Sequence, residues 1–237
     1  MATSPKARSA NGPKKLRLTQ AERVALSDQR MFESACRLIA ERGSQNTTLR
    51  EIGELAGYSR GLASNRFGSK EALFAELISF LNQQWLDDLH HFVGGRSGLA
   101  AFCAALEAVE DFLTEQPAHV RAMYLLWYET LGSHSDVRSR LAGQHERQRT
   151  DVQRWIEQGI SEGHVKSNVS PARFSVQYCS FIFGTIYQWL VNPAAIDLRA
   201  TFADFRTSTL SQIIREDAQM TPKLLRRKTV LRRRVEV

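Results

Sequence analysis

The stretch from Thr47 to Glu71, TTLREIGELAGYSRGLASNRFGSKE, leaves its backbone few choices. Thr48 and Glu51 have capping-box spacing, in which a threonine hydroxyl and a glutamate three residues on satisfy backbone N–H groups at a helix start. Gly57 suits the left-handed residue that ends such a helix. Ser59 can cap a second helix and Ser69 a third. The predicted unit is two short helices joined by a tight turn at Ala56-Gly57-Tyr58, with a third helix following at once. Its second helix, Ser59 to Phe67, shows arginine and asparagine to solvent. A helix-turn-helix of that kind is how proteins reach base edges in the DNA major groove.

The rest of the chain reads as helix. Thr19 and Glu22 form another capping-box pair, and Met31, Ala35, Leu38 and Ile39 recur at helical spacing up to a stop at Gly43. Ser69 opens a long helix with Leu73, Phe74, Leu77, Ile78, Leu81, Trp85 and Leu89 on one face, ending by Gly94-Gly95. Further helices are predicted over 98–115, 117–131, 136–163, 171–191 and 198–219, with breaks at Pro117, Gly132-Ser133, Gly163, Ser170-Pro171 and Asn192-Pro193. Ser170 before Pro171 is an N-cap and first-position pair. Strand signals are nearly absent, so the fold class is all-α.

An apolar content of 43% and a charged content of 24% suit a soluble globular protein. The net charge of +7 is unevenly spread: residues 1–17 carry +5 and residues 221–237 carry +6, which leaves −4 for the body between them. Basic arms beside a helix-turn-helix can lie along phosphates or enter a minor groove. Cys36, Cys103 and Cys179 are widely spaced and odd in number, which argues for reduced thiols and a cytoplasmic setting. Pro5, Lys6 and Arg8 stand where the apolar core of a secretory signal would begin. The most apolar stretch, Val176 to Val191, contains Gln177, Ser180 and Gln188 and falls short of the roughly 20 residues of a membrane span. No nucleophile elbow, phosphate loop or H-E-x-x-H occurs, so enzymatic activity is not expected. His119, His134, His145 and His164 lack metal-ligand spacing, so neither a metal nor a cofactor is expected.

The segment resembles the DNA-binding domain of the tetracycline-repressor (TetR) family of bacterial transcriptional regulators. The resemblance runs from Ala35 and Gly43 through Thr47-Thr48 and Ile52 to Ala56-Gly57-Tyr58-Ser59-Arg60-Gly61 and Phe67-Gly68-Ser69-Lys70-Glu71-Ala72-Leu73. Positions 62–66, Leu-Ala-Ser-Asn-Arg, depart from a pattern that has tyrosine where this chain has Ser64. The resemblance implies about nine helices, three plus six. It divides the chain into a basic arm (1–18), a DNA-binding domain (19–68), a regulatory and dimerisation domain (69–219) and a basic tail (220–237). It also implies a homodimer on a palindromic double-stranded operator, released by a small-molecule effector, with no membrane partner.

Within that frame, Arg60, Gly61, Leu62 and Asn65 are the expected base readers. Arginine pairs bidentately with guanine and asparagine with adenine. Thr47, Thr48, Tyr58, Ser64, Arg66 and Lys70 are expected at phosphates. An apolar effector pocket is expected from Phe102, Leu106, Met123, Leu126, Trp127, Trp155, Tyr178, Phe181 and Ile182. The last two helices carry the expected dimer interface: Phe174, Thr185 and Trp189 on one, and Phe202, Phe205, Thr209, Leu210 and Ile213 on the other. The alternative is an architectural protein that holds DNA or a membrane surface nonspecifically through its basic tails.

Overall fold

The computed structural model describes residues 18–132 and 136–215; His134 and the two basic terminal segments lie outside that range. Among the described residues the chain forms nine α-helices and no strand, as the all-α expectation requires. They are α1 (Gln20–Arg42), α2 (Leu49–Leu55), α3 (Leu62–Phe67), α4 (Lys70–Val93), α5 (Gly98–Glu115), α6 (Pro117–Thr130), α7 (Asp136–Ser161), α8 (Pro171–Val191) and α9 (Leu198–Ile213).

Both capping boxes form. Thr19 accepts from the Glu22 N–H and Thr48 from the Glu51 N–H, while each glutamate accepts from the threonine backbone in return. Ser69 caps α4 by accepting from the Ala72 N–H. Ser170 and Pro171 open α8, without a side-chain cap bond. α9 stops at Ile213, short of the predicted 219. Ile214 turns extended and pairs with Val165, and the Lys166 N–H donates to the Ile213 carbonyl at 2.9 Å.

α5 is the central helix, buried on nearly every side, and its sequence GLAAFCAALEAVEDFL explains why. A helix apolar all round has no solvent face to offer. Its alanines at 101, 104, 105 and 108 let α4, α7 and α9 approach closely. α7 packs between α5 and α8, and α1 lies against α6 as well as α2. There the Arg121 guanidinium donates to the Ala40 carbonyl at 2.9 Å, and Ser44 bonds to Glu129. α9 is tied to α5 by Arg206, which reaches Glu107 at 3.3 Å and Glu110 at 3.4 Å. Among the described residues, no helix is long and apolar enough to cross a membrane.

The apolar stripes of α8 and α9 face inward, which corrects the expected interface. Phe174, Thr185, Phe202, Thr209, Leu210 and Ile213 are buried by the chain itself, and Trp189 and Phe205 are half-buried. Periodicity marks the buried face of a helix without saying what covers it. The outward row of α8 is different: Val176, Ser180, Gly184, Tyr187 and Val191, three of them large and exposed.

Candidate functional site

The segment 47–71 builds a helix-turn-helix from local rules. α2 ends in a Schellman turn: the Tyr58 N–H donates to the Gly53 carbonyl at 2.9 Å and the Gly57 N–H to Glu54 at 3.1 Å, with Gly57 at φ 82°. Gly53 sets the distance between the helices. A Cβ there would stand 3.2 Å from the Ser59 carbonyl oxygen and 3.7 Å from the Ala63 Cβ. Ala63 and Phe67 are buried beneath α3, and Phe67 meets Phe32 of α1 with ring centroids 5.7 Å apart.

α3 begins later than predicted. Ser59, Arg60 and Gly61 form a turn in which the Leu62 N–H donates to the Ser59 carbonyl at 3.0 Å, so the Ser59 backbone rather than its hydroxyl serves the helix start. Gly61 is the N-cap, with no side-chain bond. The turn and helix together expose Arg60, Gly61, Ser64 and Asn65 and half-expose Leu62. Arg60 is 73% exposed, and its Nε lies 2.7 Å from Glu54, a carboxylate it shares with Arg50. Of the four expected base readers, Arg60, Gly61 and Asn65 are exposed and Leu62 is half-exposed.

The expected phosphate contacts divide. Thr48 is the exposed N-cap of α2, beside Glu51, whose carboxyl is held below the usual range by the Thr48 hydroxyl and Arg42. Tyr58 is half-buried against the core. Lys70, in the first turn of α4, donates to the Ser44 carbonyl at 3.3 Å. Thr47 is a correction: it is fully buried and its hydroxyl donates to the Gly43 carbonyl at 2.9 Å. Of the two adjacent threonines, the first faces the core and the second caps. Arg66 is exposed but engaged within the chain. Its guanidinium grips Asp28 of α1 through Nε at 3.0 Å and Nη2 at 2.7 Å, and reaches Glu76 of α4 at 3.2 Å. The paired carboxylate of Asp28 raises the Arg66 pKa. It clamps three helices together.

A second feature lies between α4, α5, α6, α7 and α8: two adjoining cavities of about 50 Å³ each. The outer lobe includes Trp155, Tyr178, Cys179 and Asp151, and the inner lobe Met123, Tyr124, Trp127 and Gln144. Trp85, Val109, Gln148, Ile182 and Phe183 line both. Of the predicted lining, Met123, Trp127, Trp155, Tyr178 and Ile182 are there. Phe102, Leu106 and Leu126 are buried in the core instead, and Phe181 stacks on Phe205 of α9 at 3.7 Å. Phe102 packs edge-on against Phe174 and Tyr178, at 5.4 and 5.2 Å.

Sequence reasoning missed Trp85, Phe183, Gln144 and Gln148. Trp85 reads as one more member of the α4 stripe. The glutamines are hidden in the polar run GQHERQRTDVQRW, yet Leu141, Gln144, Gln148, Val152 and Trp155 recur at helical spacing, which is the available signal. Gln144 is 2% exposed, and neither end of its amide has a hydrogen-bond partner among the described residues. The same holds for Trp85 Nε1, Trp127 Nε1 and Gln148 Oε1. A buried polar atom left unpaired costs on the order of 1–3 kcal/mol, so such a cluster calls for an explanation. The three cysteines are buried free thiols; burial pushes Cys36 up to about 12 and Cys103 and Cys179 up to about 11. Thiolate chemistry at neutral pH is thereby suppressed.

Comparison with known proteins bears on the helix-turn-helix and on the fold. Residues 32–77 match the model of the bacterial regulatory proteins of the tetR family. The HTH-type transcriptional regulator BetI of Brucella anthropi is 27% identical over 113 residues, 48% of this chain and 58% of its own length. The alignment thus spans little more than half of that relative. A Saccharomonospora viridis protein solved in complex with choline superimposes with a TM-score of 0.71 at 17% identity, covering 81% of this chain and 100% of the other. NalD, the secondary repressor of the MexAB-OprM multidrug efflux pump of Pseudomonas aeruginosa, gives 0.61 at 20% identity, covering 80% of this chain and 98% of its own. At these identities the structural likeness is one of fold.

Proposed function

We propose that this chain, which belongs to the TetR family of bacterial transcriptional regulators, is a cytoplasmic homodimeric repressor that reads a palindromic operator and leaves it on binding an uncharged aromatic effector. The observation that carries this reading is the outer surface of the helix-turn-helix. Arg60, Gly61 and Asn65 are exposed there and Leu62 half-exposed, while Ala63 and Phe67 anchor α3 from beneath. Arginine and asparagine are the side chains with bidentate matches to guanine and adenine. Thr48, Tyr58, Ser64 and Lys70 flank them as phosphate contacts. The aromatic cavities supply the effector site, and Trp85 puts their shared wall on α4, the helix that directly follows α3.

So few base contacts need two copies of the reader, one helical turn or a related spacing apart. The outward row of α8 supports a two-fold interface: Val176, Tyr187 and Val191 are exposed, and Ser180 and Gly184 are small enough for a second helix to come close. α9 adds Ala203, Thr207 and Ser211, all exposed and four residues apart. In a two-fold pair each helix meets its own copy or its neighbour's, so one self-complementary face suffices.

Selection of bound sequences from random double-stranded DNA tests this reading. The expected product is one enriched inverted repeat, bound by a particle with the mass of two chains in sedimentation. Recovery of DNA with no enriched sequence would instead favour nonspecific binding through the basic tails. Arg66→Ala gives a sharper check on which side chains meet phosphate. Removing its pairs with Asp28 and Glu76 is expected to lower stability by about 1 kcal/mol in urea denaturation, since exposed pairs are worth little. The slope of log affinity against log salt is expected to stay unchanged. Had Arg66 neutralised a phosphate in each protomer, the slope would fall by about 0.9 for each phosphate set free.

A further inference from the structure

The inner cavity lobe is aromatic and apolar, and the unpartnered polar atoms of its lining side chains are neutral ones; behind Trp127 and Phe183 packs His145, whose Nε2 is also buried and unpartnered and whose burial lowers its pKa. Trp85 Nε1 and Trp127 Nε1 are donors, Gln148 Oε1 is an acceptor, and Gln144 offers one of each from a single amide. The two ends of that amide can be exchanged by a flip, and it still presents a donor beside an acceptor. Tyr124 is not part of this set, because its hydroxyl already donates to the Phe183 carbonyl at 3.2 Å. Among the described residues, no Asp, Glu, Lys, Arg or His lines the inner lobe. In the outer lobe the one carboxylate, Asp151, lies 2.6 Å from the Arg154 guanidinium.

We infer that the effector is an uncharged, flat aromatic molecule with a donor and an acceptor side by side, as in an aromatic lactam. This rests on the reading of the chain as an effector-controlled regulator. An amide or lactam edge pairs with Gln144 at two points, which a lone carbonyl, an ether or a quaternary ammonium cannot do. Remaining acceptors on the ligand meet the two indole N–H groups, and a remaining donor meets Gln148. A buried anion finds no free counter-charge among the described residues of either lobe, so its desolvation goes uncompensated; a quaternary ammonium would rest on the aromatic faces but would leave the Gln144 amide unpaired. Ring faces lie against Trp127, Phe112 and Phe183. Trp85 and Phe183, both only half-buried, belong to the wall the two lobes share, so a ligand in one lobe also touches the boundary of the other. Choline, the ligand of the Saccharomonospora viridis protein, is the rival probe, since it would use the ring faces and leave the Gln144 amide unpaired.

Isothermal titration of the full chain with three probes tests the inference: quinolin-2(1H)-one as the neutral lactam, 2-naphthoate as an anion of similar shape, and choline as the cation. The lactam is expected to bind at least tenfold more tightly than either ion. Gln144→Leu is expected to weaken the lactam at least tenfold while leaving the ligand-free melting temperature equal or higher, because it removes an unpaired buried amide. Gln144→Met provides the same comparison with an unbranched side chain if the leucine variant folds poorly. Tightest binding of choline or 2-naphthoate overturns the ligand class. So does binding of none of the three, or lactam affinity within twofold of wild type in the Gln144 variants. None of these outcomes touches the selection of operator DNA, so the ligand class can fail while the regulator reading stands.

Discussion

A chain carrying Arg60→Ala and Asn65→Ala together is expected to bind its selected operator no more tightly than unrelated DNA of equal length. Each bidentate base contact discriminates by about 1–3 kcal/mol, and a dimer makes each contact twice. The combined effect is on the order of 4–12 kcal/mol, at least about a thousandfold in affinity, which is as large as most specificity margins. Fluorescence anisotropy at one fixed salt concentration, with operator and scrambled duplexes, measures it. Both side chains are exposed, so the melting temperature is expected to stay within a degree or two. The Arg60–Glu54 pair does not compete seriously with DNA. At 73% exposure for the arginine it is a surface ion pair, worth at most about 1 kcal/mol. Retained discrimination in the double variant would mean that α3 is not the reading element.

The parts of this fold that are legible in the sequence are those whose chemistry closes within a few residues. Thr48 and Glu51 satisfy each other across one turn, Thr19 and Glu22 do the same, and Gly57 adopts the positive φ its turn needs. Ser59 shows the limit even there: either its hydroxyl or its carbonyl could serve the start of α3, and only the closing geometry chooses the carbonyl. Arg66 escapes a sequence reading because its partners, Asp28 and Glu76, lie 38 and 10 residues away, beyond any local pattern. The α8 and α9 stripes are apolar faces as expected but have a different partner, since a second chain and the chain's own core impose the same periodicity. The cavity is half legible. Its apolar wall follows from helical spacing, but the unpaired state of Gln144 is a property of what surrounds it in three dimensions.

Phe102 separates core from pocket by experiment, and Phe102→Ala is expected to carry a large cost in stability. Phe102 is fully buried on α5, edge-on to Phe174 and Tyr178 of α8. Truncating a buried phenylalanine typically costs about 3–5 kcal/mol through reduced burial and the cavity left behind. The aromatic pairs add about 0.5–1.5 kcal/mol beyond their area. For a chain of this size about 1 kcal/mol corresponds to about 2–4 °C, so a fall on the order of 6–20 °C in melting temperature is expected. A ligand-lining residue adds a second loss: where it is buried, its truncation costs affinity as well as stability. Trp127→Ala supplies that contrast, since Trp127 faces the inner lobe with an unpaired indole N–H. Phe102→Ala should therefore lower the melting temperature far more than the affinity for the lactam probe, and Trp127→Ala should lower affinity proportionally more. A Phe102 variant that melts normally but no longer binds the probe would return this ring to the effector site. It would also mean that the cavity extends past Ala105 towards α9.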